Sequence, residues 1–133
     1  VFDDDRFPLV SFRLIFMSGE AADPVGQAGL TSAMAALLTE GTERHTSREL
    51  AEKIEQLGAS LHASSSDDFV VLSASGLSAY HTDLLHLMQE LVFAPTFPED
   101  EVDLYKRNTL ENLKFNRSQP GFLAGERVGR LLY

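Results

Sequence analysis

Alternation opens the chain. In PLVSFRLIFM, residues 8–17, Leu9, Ser11 and Arg13 stand against Val10, Phe12 and Leu14, and the stretch closes on an unbroken apolar run from Leu14 to Met17. The alternation predicts a β-strand, and the closing run predicts one buried on both faces. SGEAADPVGQAG, residues 18–29, is rich in Gly, Asp and Pro and reads as a loop. The period then changes. At about 100° per residue, Leu30, Ala33, Met34, Leu37 and Leu38 fall within one arc of about 140°, which predicts a helix with that arc in the core. Ser32, Ala35 and Ala36 cluster on the opposite side of the wheel, across about 100°. Such small side chains predict close packing against a neighbouring helix, with a substrate contact as the other reading.

Gly41-Thr42 stops this helix, and the next is signed at both ends. Thr46 with Glu49 three residues on forms a capping box. Leu50, Ile54 and Leu57 make an apolar stripe, and Gly58 suits a C-terminal cap. Ala59 to Ser65 and Phe69 to Leu77 read as two strands, joined by a hairpin turn at Ser66-Asp67-Asp68. Tyr80 to Phe93 is a third helix with Leu84, Leu87, Met88 and Leu91 on its buried side. APTFP, residues 94–98, breaks the chain. Glu99-Asp100-Glu101 then place acid in the first turn of a long fourth helix, where the positive dipole end favours it. That helix runs to about Arg117, Gln119-Pro120-Gly121 ends it, and a last amphipathic helix starts near Phe122. The order β-α-α-β-β-α-α-α predicts an α+β fold, an antiparallel sheet covered by helices.

Composition narrows the function. With 133 residues, 44% of them hydrophobic and 23% charged, the chain has the size of one domain and the means to build a core. Its net charge of −9 and pI near 4.8 have the wrong sign for phosphate backbones or anionic lipid, so no nucleic-acid partner is expected. No apolar run approaches the roughly 20 residues of a membrane span, and no basic-then-apolar leader opens the sequence. The absence of cysteine excludes disulfides, thiol nucleophiles and Cys-type zinc sites. A start on Val1 and an end on Leu131-Leu132-Tyr133 suggest a piece of a longer polypeptide.

In their order and spacing, PLVSFRLIFMSGE, GLTSAMAALLTEGT, RELAEKIEQLGASLHASSSDDFVVLS, HLMQELVFAPTFPEDEV and the LENLK helix resemble the insulinase-type, or pitrilysin-like, zinc metallopeptidases. The resemblance covers most of the chain. It implies that residues 1–133 are the N-terminal portion of one metallopeptidase-like clamshell domain, and that such domains pair around a chamber enclosing a peptide. In active members the first helix carries the inverted motif H-x-x-E-H. Its two His and a Glu from a later helix hold zinc, and the motif's own Glu is the general base for the zinc-bound water.

Against G-x-x-H-x-x-E-H-x-x-x-x-G-T, this chain keeps Gly29, Gly41 and Thr42. It places Ser32 at the first His, Ala35 at the Glu and Ala36 at the second His. In the run Leu110-Glu111-Asn112-Leu113, the later ligand's place falls to Asn112. Glu111, one residue away, is turned by about 100° on a helix and is no simple substitute. The resemblance therefore implies a non-catalytic member, with no catalytic residue, metal or cofactor of its own. Zinc is expected only in a homologous catalytic partner bearing H-x-x-E-H. The implied function is to form a chamber wall and help bind peptide for that partner. The alternative is a structural or assembly subunit without a proteolytic role. The bacterial members with separate inactive subunits imply the periplasm, with the cytoplasm as the other compartment.

The remaining candidates read as structural. His45, His62, His81 and His86 include no pair at the i, i+4 spacing of a helical zinc site. Ser32 has no base placed by sequence to activate it. Asp3-Asp4-Asp5 reads as a solvated segment, Glu99-Asp100-Glu101 as a helix-start charge set, and Lys106-Arg107 as a solvent-facing pair.

Overall fold

A computed structural model describes residues 7–132, so Asp3-Asp4-Asp5 lie outside the described residues. Within them, three strands and five α-helices follow in the order that the periodicity predicts. The strands β1 (Leu9–Phe16), β2 (Ser60–Ser65) and β3 (Val70–Leu77) form one antiparallel sheet in the order β1-β3-β2. β3 takes the centre, with Val70, Leu72 and Ala74 buried on its inner side. The β2–β3 hairpin closes at Ser66, whose N–H donates to the Phe69 carbonyl at 2.9 Å.

Helices build the core over the inner face of the sheet. α2 (Ser47–Gln56) supplies Leu50, and α3 (His81–Phe93) supplies Leu84, Leu87, Met88 and Leu91, all buried. The local signals hold at atomic detail. Thr46 N–H donates to Glu49 Oε2 at 2.9 Å while the Thr46 hydroxyl oxygen accepts from Glu49 N–H, the reciprocal capping box. At the other end Gly58 N–H donates to the Glu55 carbonyl and Ala59 N–H to the Ile54 carbonyl, a Schellman closure.

The chain divides into two compact units, one reaching to Pro98 and one starting at Glu99. The second holds α4 (Glu99–Arg117) and α5 (Pro120–Leu132). α5 begins on Pro120 rather than near Phe122, because proline's missing N–H costs nothing in a first helical turn. Among the described residues, no helix is long and apolar enough to cross a membrane.

β1 is less buried than its apolar run predicts. Its end was expected to be buried on both faces, yet Ile15 is 54% and Met17 83% exposed. β1 is an edge strand that pairs only with β3 among the described strands. An apolar run reports that a strand is suited to cover, and it does not say which residues supply the cover.

Candidate functional site

The helix that the likeness aligns with the motif of active members is α1 (Leu30–Leu37). Its entry is held from outside the helix. Asp23 Oδ2 accepts the Gly29 N–H at 2.8 Å, and Oδ1 accepts the Thr31 N–H at 3.0 Å and the Thr31 hydroxyl at 2.6 Å. Gly29 stands at φ 88°, in the left-handed region open to glycine. The Thr31 hydroxyl bond holds the Asp23 carboxyl below its ordinary range against the opposite push of partial burial, with help from the Thr31 and Gly29 amides.

The exit of α1 is tied as firmly. Gly41 and Thr42 pair with Thr46 and Pro95 in isolated bridges, and Thr96 N–H donates to the Gly41 carbonyl at 3.2 Å. A Cβ on Gly41 would lie 2.9 Å from Thr96 Oγ1 and 3.2 Å from Pro98 Cγ. Thr42 is buried, and its hydroxyl oxygen accepts the Arg44 and His45 amides at 3.2 and 3.0 Å. Gly29, Gly41 and Thr42 thus have structural work to do that no metal is needed to explain.

Between these ties lie the three blank positions, and they do not share one environment. Ala35 is 2% exposed, Ser32 is half-buried and Ala36 is exposed. Leu30, placed in the core by periodicity, is 50% exposed. The buried side of α1 is therefore turned from Leu30 towards Ala35. In the first unit its backbone approaches β2 and the 3-10 turn Glu20–Ala22 most closely, rather than another helix. Chemically, the three positions offer one hydroxyl and two methyls, which do not fit zinc. Asn112, on α4 in the second unit, is exposed, as is Glu111.

The histidines scatter. His62 is exposed on β2, and His81 donates from Nδ1 to the Ser78 carbonyl at 2.9 Å at the start of α3. His86 is exposed beside an open cavity of about 520 Å³, whose lining includes Arg44, Lys53 and Glu90. His45 is the one drawn into a network. Its Nδ1 lies 2.9 Å from Glu90 Oε2, and Lys53 Nζ lies 3.3 Å from its Nε2. With the Glu90 carboxylate accepting from Nδ1–H, Nε2 is left to accept from the lysine. Arg44 also reaches Glu90, at 3.5 Å. The network joins the α1–α2 connection, α2 and α3. Sequence reading missed it because His45 and Glu90 are 45 residues apart. Among the described residues, no three His, Asp or Glu side chains come together as a metal would require.

Comparison with known proteins gives these residues a context. The sequence profile of the family described as Insulinase (Peptidase family M16) matches residues 3–127. A Helicobacter pylori protein called "Non-peptidase homolog YmxG" is 26% identical over 122 residues, which are 92% of this chain and 28% of that protein. The "Uncharacterized zinc protease YmxG" of Bacillus subtilis is 22% identical over 105 residues, 79% of this chain and 26% of that one. Among solved structures, a peptidase M16 inactive domain from Pseudomonas fluorescens superposes with a TM-score of 0.83 at 32% identity, over 90% of this chain and 29% of its own. A protease from Helicobacter pylori shares the fold at a TM-score of 0.74 and 17% identity, over 82% of this chain and 26% of its own. The chain thus spans little more than a quarter of the relatives it matches.

Proposed function

The chain belongs to the insulinase family, peptidase family M16, and we propose that it is a non-catalytic member that forms one wall of a peptide-holding chamber and helps bind peptide for a catalytic partner bearing H-x-x-E-H. One observation supports the reading: both ends of α1 are tied by defined contacts, while the residues that the likeness sets at the motif positions carry no reactive group. Gly29, Gly41 and Thr42 fix the two ends of α1 through backbone geometry. Ser32, Ala35 and Ala36 supply neither ligand nor base between them, and Asn112 replaces the later carboxylate. Ala35, which the likeness sets at the general base's position, is 2% exposed and so offers no surface to a substrate. The names of two relatives, a non-peptidase homologue and an inactive domain, point the same way for those proteins.

The test pairs this chain with a homologous subunit that bears the intact motif. Cleavage of a fluorogenic peptide by the pair is expected to exceed that of the partner alone, and this chain alone is expected to cleave nothing. A pair no faster than the lone partner would overturn the proposal and favour a purely structural subunit.

A further inference from the structure

The outward face of the sheet carries an arrangement that neither the core nor the lost motif explains. The pairing register sets Arg13 opposite Ser73 and Ser73 opposite His62, making one row across all three strands. The next row is Ser11, Ser75 and Ser60. Apolar pairs flank these two rows, Leu9 with Leu77 at one end and Ile15 with Val71 at the other. Helices cover the opposite face, where Leu72 and Ala74 are buried, while Arg13 and His62 are exposed. A groove of about 170 Å³ runs over the two polar rows.

Charge makes this face unusual. The chain holds 20 acidic residues against 11 Lys and Arg, yet no outward position of the three strands is Asp or Glu. Arg13 ion-pairs with no described residue. A guanidinium without an ion-pair partner among the described residues is available for a carboxylate from outside, which it can grip with two parallel N–H bonds. The Ser60 and Ser75 hydroxyls share one hydrogen bond of 2.8 Å, so one hydroxyl hydrogen of the pair stays free to donate. Rows along a strand recur about every 6.8 Å, the two-residue repeat of any extended peptide.

We propose that this face is a subsite for an acidic side chain of an extended peptide, with Arg13 gripping the carboxylate, His62 and the Ser60–Ser75 pair beside it, and Ile15 and Val71 receiving an apolar side chain two residues away. The subsite rests on the peptide-binding part of the function proposed above, and it adds a preference that the family likeness does not supply.

The experiment uses two fluorescein-labelled peptides, one with a single Glu two residues before a Val and one with Gln in its place. Fluorescence anisotropy is measured against the chain, Arg13→Ala, Arg13→Lys and the distant surface variant Arg48→Ala. The Glu peptide is expected to bind, and the Gln peptide about tenfold more weakly, the size of one charge-assisted contact. Arg13→Ala should bring the Glu peptide down to the level of the Gln peptide. Arg13→Lys should fall between, and Arg48→Ala should change nothing. Equal binding of both peptides, untouched by Arg13→Ala, would overturn the subsite while leaving peptide binding in place. An equal loss for both peptides in Arg13→Ala would also overturn it. Binding of neither peptide would remove the subsite and the peptide-binding role together.

Discussion

A carboxylate at position 35 would have to occupy a place where the alanine methyl is 2% exposed. Burying a charge without a partner costs several kcal/mol, or forces the group to stay protonated. Ala35→Glu is therefore expected to lower unfolding stability by about 3 kcal/mol, read as a shift in the urea midpoint. Ala36→His, on the exposed side of the same helix, should stay within about 0.5 kcal/mol of the parent. Equal effects would mean that the two positions share an environment after all. Asp23 makes a second residue-scale case. Its carboxyl is held below its ordinary 3.8, chiefly by the Thr31 hydroxyl. A group whose folded value is depressed adds stability above its unfolded value and loses it as pH falls through the folded one. The tether on α1 is thus complete well above pH 3.8 and fades in acid. Asp23→Ala should be less stable than the parent at neutral pH, and the gap should narrow as urea unfolding is repeated towards about pH 3.

Helix α2 is closed at both ends by bonds made within its own sequence neighbourhood. Removing the Thr46 side chain takes away the hydroxyl's bonds to the Glu49 amide and carboxylate, and Thr46→Ala is expected to cost about 1 kcal/mol in thermal or urea unfolding. Such elements were legible in the sequence because their signals are local: Thr46, Glu49 and Gly58 announce a helix whose caps close within a few residues. The stripe Leu84, Leu87, Met88 and Leu91 was legible for the same reason, since one period fixes one buried face. Where the reading failed, the deciding contact was remote. The wheel of α1 placed Leu30 inward, but the approach of β2 turned the helix towards Ala35. The run Leu14 to Met17 promised burial, but its neighbours could not be read from the run itself. No pattern near His45 pointed to Glu90, which comes from a helix formed later in the chain.

At the scale of the whole molecule, the proposed loss of a zinc site rests on the correspondence of α1 with the motif helix of active relatives, and it can be tested by putting ligands back. Ser32 and Ala36 lie at i, i+4 on α1, the spacing by which two histidines share one metal. Neither is fully buried, so both should accept imidazole. Ala35 can be left alone, because the motif's Glu is a base and not a ligand. The double variant Ser32→His, Ala36→His is therefore expected to bind zinc in a chelator-competition titration about tenfold more tightly than either single variant, because two imidazoles one turn apart share the ion. Binding by the double variant no tighter than by the singles would mean that positions 32 and 36 do not present one face of α1, and would detach this helix from the motif.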